Sequence, residues 1–273
     1  MRTAITTLTV AFLLIGTAWA QESVPAPANP FPTPPPPATP RIVAVPKPAD
    51  TTLPNGLRVI TVPRSGSGLV TVQLLVRTGA AGDPPGKNGR ARMVAELLTK
   101  GTKSRTATQI SDSVEQLGAS LDSGAGYDSS SVTLSVLKTR IAVAMPIFAD
   151  VVQNPTFPAE ELNRLRAQTL DDLSVSYREP GTLARLVASR VLFGSTPYGN
   201  SAVGTPETLG KISQGDLAGW YRSQFQPANA VLIVTGDATA EEASALATKY
   251  LGAWKRSATK PVSGTRTSPA ETT

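Results

Sequence analysis

The sequence predicts an α+β fold: one mainly antiparallel sheet with helices packed on one face. Three observations predict it. Short runs of alternating or β-branched residues recur at 57–62, 69–77, 119–123, 129–137 and 230–235, several as neighbours joined by tight turns. Longer stretches with apolar residues at helical spacing separate and follow them. With 40% hydrophobic and 17% charged residues, a chain of 273 residues can bury a core of this kind.

The chain opens with Met1-Arg2, a short apolar run at 4–15 and Ala18-Trp19-Ala20. The run is too short to span a bilayer, and the A-x-A pattern marks a signal peptide over 1–20, cleaved after Ala20. Residues 21–50 are saturated with proline, including Pro34 to Pro37 and Pro46-Lys47-Pro48. Proline removes backbone donors and favours extended polyproline II, so this stretch reads as a spacer rather than as a ligand for a proline-recognising domain. The folded domain is expected over 51–256, and a Ser/Thr/Pro-rich tail over 257–273 is expected to be disordered.

Within the domain, Pro54-Asn55-Gly56 turns into the first strand, 57–62, and Thr78-Gly79 ends the second, 69–77. A Gly/Pro-rich loop leads to a helix over 89–99, stopped by Gly101. Ile110, Val114 and Leu117 share a face of a helix over 104–117. Strands 119–123 and 129–137 follow as a hairpin about Gly124-Ala125-Gly126. Ile141, Met145, Phe148 and Val152 set a helix over 139–152, with Pro146 inside it as a possible kink. Glu160 and Glu161 open a long helix to about 178, suited to the positive end of its dipole. Further helices are read over 182–192, over 213–225 with Ser213 as N-cap, and over 240–254.

Composition excludes several chemistries. There is no cysteine and no histidine. Disulfides, thiolate metal sites, cysteine nucleophiles and Ser-His-Asp triads are impossible within the chain. The formal charge of +6 comes from 26 basic and 20 acidic residues that are scattered, with no dense basic block, so nucleic-acid binding is not expected. S-x-x-K spacing occurs at Ser135–Lys138 and Ser257–Lys260, but neither opens a helix, and both read as structural. Trp220 and Tyr221 sit within a helix and read as core. No internal repeat and no phosphate-loop spacing is present.

One helix organises the reading: Gly89-Arg90-Ala91-Arg92-Met93-Val94-Ala95-Glu96-Leu97-Leu98-Thr99-Lys100-Gly101-Thr102. It resembles the zinc helix of the insulinase/pitrilysin family of metallopeptidases, which carries H-x-x-E-H between a Gly-x-Ala and a Lys-Gly-Thr. Other landmarks agree in order. They include Leu53-Pro54-Asn55-Gly56, Leu117-Gly118-Ala119, Phe157-Pro158-Ala159-Glu160-Glu161-Leu162, Pro197-Tyr198-Gly199, Gly204-Thr205-Pro206-Glu207, Tyr221 to Ala230 and Val234-Thr235-Gly236-Asp237. The resemblance covers about 51–256 and implies the insulinase-like metallopeptidase domain.

The frame is present and the chemistry is altered. Arg92 and Glu96 stand where the resemblance would place two histidines, and Ala95 stands where it would place the catalytic glutamate. Asp172, in Asp171-Asp172-Leu173, matches the third ligand position with a shorter carboxylate. A guanidinium has no lone pair for a metal and a methyl group cannot take a proton from water. No catalytic residue, no bound zinc and no peptidase activity are therefore expected of this chain on its own. Two readings of Arg92, Glu96 and Asp172 stay open: an ion-pair cluster joining two helices in place of the metal, or a solvated i, i+4 pair with Asp172 apart.

The signal-peptide pattern points to an exported, periplasmic or secreted protein, and the resemblance implies a domain that pairs with a zinc-bearing homologue and helps to enclose a peptide or unfolded-protein substrate. The alternative is a stand-alone periplasmic peptide-binding or envelope module without a peptidase partner. A hydrolase using different chemistry is a third reading.

Overall fold

A computed structural model of the chain describes residues 47–256, which fall within one compact unit. The signal peptide over 1–20, most of the 21–50 linker and the 257–273 tail lie outside the described residues.

Six strands form a single sheet in the order β1-β2-β6-β3-β5-β4. They are β1 (Ala49–Thr52), β2 (Arg58–Pro63), β3 (Leu69–Val76), β4 (Ser120–Ala125), β5 (Ser130–Leu137) and β6 (Ala230–Gly236). All neighbouring pairs are antiparallel except β2 with β6. The last strand among the described residues, β6, thus enters the middle of the sheet between β2 and β3. The α+β reading stands.

Alternation along the strands decides which face is covered. Val70, Val72, Leu74 and Val76 of β3 are buried, as are Ser130, Val132, Leu134 and Val136 of β5. Their neighbours Thr71, Gln73, Thr133 and Ser135 look to the opposite face. There Thr71 Oγ1 lies 3.0 Å from Ser135 Oγ, and Gln73 Nε2 donates to Thr133 Oγ1 at 3.2 Å. One sheet face is an aliphatic floor and the other a half-buried polar surface, as period-two patterning requires.

The helices are α1 (Arg90–Leu97), α2 (Ala107–Gln116), α3 (Ile141–Gln153), α4 (Ala159–Ser176), α5 (Pro180–Phe193), α6 (Pro206–Gly210), α7 (Gln214–Gln224) and α8 (Ala240–Leu251). Helices α1 and α3 pack on β5, α8 packs on β2, and α7 packs against α1. Helix α3 continues through Pro146, which cannot donate to Ala142 four residues back. The carbonyl left free there accepts from Tyr250 Oη of α8 at 3.1 Å. The proline is tolerated because a neighbouring helix supplies the missing donor.

Boundaries shift where local chemistry is stronger than periodicity. Helix α2 begins at Ala107 rather than 104, since Thr106 closes a capping box with Gln109. Ser213 caps α7 as expected, in a box with Asp216. Strand β4 runs on to Ala125, so the turn falls at 126–129. Two elements were not read from the sequence. Strand β1 begins at Ala49, inside the stretch taken as linker, and is held at the sheet edge by Asp50 accepting from Arg58. Helix α6 is a five-residue helix with its own Thr205–Thr208 capping box.

Candidate functional site

Helix α1 is placed by its own flanks. Gly89 caps it with φ at +95°, and a Cβ there would sit 2.4 Å from the Val203 carbonyl oxygen. Only glycine meets both demands. The preceding loop turns Asp83 under the helix N-terminus. Its carboxylate accepts from Gly89 N at 3.1 Å and from Ala91 N at 3.0 Å, and Arg90 Nε lies 3.6 Å away. The Asp83 side chain is wholly buried. Burial pushes its carboxyl up to about 7, against the opposing pull of Arg90 and the helix amides. At the other end, Gly101 meets Pro158, and Thr102 Oγ1 donates to Asp150 Oδ2 at 2.7 Å. The Gly-x-Ala and Lys-Gly-Thr frame therefore has a packing role at both ends of the helix.

Between these ends the helix has two faces. Ala91, Met93, Val94, Ala95 and Leu97 are buried. Arg92 and Glu96 look outward, with side chains 44% and 29% exposed, and Arg92 Nε donates to Glu96 Oε1 at 2.6 Å. Ala95 is closed to solvent, and its carbonyl accepts from Ser123 Oγ at 2.7 Å. Asp172 lies exposed on α4, and no ion pair joins it to Arg92 among the described residues. The structure thus brings Arg92, Ala95 and Glu96 to one helix turn and leaves Asp172 outside the pair.

As a donor set these positions do not fit zinc. Arg92 offers no lone pair, Ala95 offers no base, and the Glu96 carboxylate is already engaged by a guanidinium that would repel a cation. Among the described residues no cluster of three carboxylates is close enough to hold a metal ion.

A cleft of about 400 Å³ opens beside Glu96. Its walls come from the end of α1, from strand β4 and from α4. Glu96, Lys100, Asp122, Glu161, Arg164 and Gln168 supply its polar lining, and Glu161 pairs with Arg164. Strand β4 is one of the two outermost strands of the sheet, and its Leu121, Asp122 and Ser123 line this cleft. The sequence reading missed the α4 wall. The signal was the spacing of Glu161, Arg164 and Gln168, which places them on one helical face; the dipole argument accounts for Glu161 at the first turn and overlooks its partner.

The other candidates resolve as structure. Ser135 is turned to Thr71, while Lys138 Nζ lies 3.2 Å from Asp237 Oδ1 and 3.6 Å from Glu242 Oε2, so they form no nucleophile–base pair. Ser257 and Lys260 lie outside the described residues. Trp220 is buried, and Tyr221 donates to the Val152 carbonyl at 2.7 Å.

Comparison with known proteins agrees with this fold. The family model for insulinase, peptidase family M16, matches residues 58–206, and the model for the peptidase M16 inactive domain matches residues 211–273. The chain belongs to the insulinase family, peptidase family M16. Subunit 1 of the mitochondrial cytochrome b-c1 complex of Caenorhabditis elegans is 30% identical over 213 residues, covering 77% of this chain and 44% of that protein. A protein of Streptomyces coelicolor named as an uncharacterized zinc protease is 24% identical over 187 residues, covering 68% and 41%. The solved peptidase M16 inactive domain from Pseudomonas fluorescens superposes with a TM-score of 0.75 at 25% identity, covering 79% of this chain and 52% of that one. The chain spans less than half the length of the two curated relatives.

Proposed function

We propose that this chain is a catalytically silent, exported insulinase-family domain that pairs with a zinc-bearing homologue and supplies part of the wall around a peptide substrate. One observation carries the reading. The Arg92–Glu96 ion pair lies across the helix face on which two zinc ligands would have to sit, above a buried Ala95. Ala95 offers no base at the catalytic position, and Arg92 with Glu96 makes no donor set for zinc. The match to a domain described as inactive, and a relative that is a subunit of a larger complex, support a non-catalytic, assembled role.

The peptide-binding part of the proposal rests on β4. A free strand edge offers alternating backbone donors and acceptors to an extended peptide, and the mixed charges of the adjoining cleft suit its polar side chains. Export rests on the N-terminal 1–20 pattern. Among the described residues no helix is long and apolar enough to cross a membrane.

The test combines metal analysis of the purified chain with a fluorogenic-peptide assay, run with and without chelator. Substoichiometric zinc and no chelator-sensitive turnover are expected; one zinc per chain, or cleavage lost on chelation, overturns the inactive reading. Purification from the native cell tests pairing. Recovery without an H-x-x-E-H homologue favours a stand-alone peptide-binding module.

A further inference from the structure

Helix α5 buries none of its 14 residues. A helix of this length is marginal in water without tertiary contacts, because nucleation is costly and each added bond contributes little. Its main contact is with the short turn Pro197–Gly199 at its C-terminal end. There the Phe193 and Tyr198 rings lie 6.0 Å apart, and Tyr198 Oη donates to Asp128 Oδ1 at 2.6 Å. The helix is pinned at one end and open along its length.

Its sequence divides cleanly around the axis. Thr182, Leu186 and Ser189 turn toward the body and are half-buried. Leu183, Ala184, Val187, Ala188, Val191 and Leu192 occupy the opposite half of the circumference, and all six are exposed. Val187 is 61% exposed, and Val191 and Leu192 are each 76% exposed. Arg190 borders this apolar half on one side and Arg185 on the other. Both guanidinium groups donate to neutral acceptors: Arg185 to Thr182 Oγ1 at 3.0 Å, and Arg190 to the Gly194 carbonyl at 2.9 Å and Asn200 Oδ1 at 3.3 Å.

We propose that the apolar half of α5 seats an amphipathic helix of the zinc-bearing homologue, one whose apolar stripe is flanked by carboxylates. This rests on the paired reading given above. Ala184 and Ala188, one turn apart, leave a shallow groove beside the ridge Leu183–Val187–Val191, the relief into which the i, i+4 ridge of another helix fits. The arginines on both margins select an acidic partner through charge complementarity. A second copy of this chain would set Arg185 and Arg190 against the same arginines, which disfavours self-pairing. The apolar half also lacks the Trp and Tyr anchors of a membrane-surface helix, while its small residues suit close backbone approach.

The experiment is site-specific photocrosslinking of the full chain in its native cell from position 187, with position 241 on α8 as a second surface, followed by mass-spectrometric mapping. The product expected from 187 joins this chain to an acidic-flanked helix of an H-x-x-E-H homologue. R185E, which leaves Arg190 and its contacts to Gly194 and Asn200 in place, is expected to lower its yield about tenfold, as loss of charge complementarity implies, with an unchanged melting temperature. A homologue captured from 241 alone overturns the α5 surface and leaves pairing intact. A second copy, lipid or no product at 187 also overturns the surface. A product at 187 with an unrelated acidic protein, and no homologue from either position, overturns the pairing and the partner named here while keeping α5 as a docking face.

Discussion

Arg92 Nε approaches Glu96 Oε1 to 2.6 Å one turn along α1, and Asp172 stands outside that pair. The geometry favours the solvated pair over a salt cluster joining α1 to α4. The basic residue precedes the acidic one, which is the weaker order for an i, i+4 pair. A double-mutant cycle in urea is expected to give a coupling of about 0.3 kcal/mol for Arg92 with Glu96 and none for Arg92 with Asp172. A coupling of about 1 kcal/mol or more between Arg92 and Asp172 would restore the cluster, since exposed pairs rarely reach that value.

Ala95 is buried as well as unable to act as a base. Its carbonyl is tied to Ser123, and its methyl group has no solvent contact. Ala95→Glu places a carboxylate at a position closed to solvent, one turn from an Arg92 already paired with Glu96. A stability loss of about 1–3 kcal/mol is expected by denaturant unfolding. A neutral effect would mean that the site has stayed open to water.

The fold was legible because its marks are steric. Gly89, Gly101 and the alternation of β3 and β5 each reflect a close approach or a covered face, and such demands leave one residue type or one period in the sequence. Strand β1 was not legible, because Ala49 and Asp50 gain their order from pairing with Thr61 and Ile60 across the sheet edge, not from their own propensities. The altered helix face was legible residue by residue, since Arg92 and Ala95 are chemically unable to replace a ligand or a base. The cleft was not, because it is assembled from α1, β4 and α4, three segments far apart in the chain.

Gly89 gives this steric argument a number. A side chain there meets both the +95° φ and the Val203 carbonyl. Gly89→Ala is expected to lower stability by about 2 kcal/mol or more, from left-handed strain and contact together. Thermal unfolding against the wild type checks it. Gly86, at a φ of +77° with nothing near its Cβ position, serves as the comparison, and its alanine variant is expected to lose less.

Asp216 couples α7 to the loop before α1. Its carboxylate accepts from Lys87 Nζ at 2.7 Å and from Ser213 N at 2.8 Å. The Lys87 hydrogen bond, with Ser213, holds it down at about 2, well below the usual carboxylate value. A depressed carboxylate contributes stability above about pH 4 that is lost as pH falls toward 2. Asp216→Asn is expected to flatten that acid limb and to cost about 1 kcal/mol at neutral pH, less in high salt because the pair is partly exposed. Melting curves across the acid range, in low and high salt, measure both effects.

Asp83 carries the opposite sign in the same region. Its buried carboxyl, raised to about 7, binds its proton more tightly in the folded chain than in the unfolded one. The stability linked to that proton is fully present below about pH 4 and is lost as pH rises through about 7. The difference amounts to at most ~4 kcal/mol, from roughly three pKa units at 1.36 kcal/mol each. Asp83→Asn keeps an oxygen acceptor for the α1 amides and cannot titrate. The wild type is therefore expected to hold its greatest advantage over the Asn variant near pH 4 and to lose it progressively toward pH 7. Urea unfolding of both proteins at closely spaced pH values reads the difference directly. A wild-type advantage that grows with pH across this interval would show that Arg90 and the helix amides outweigh burial, and that Asp83 is ionised throughout.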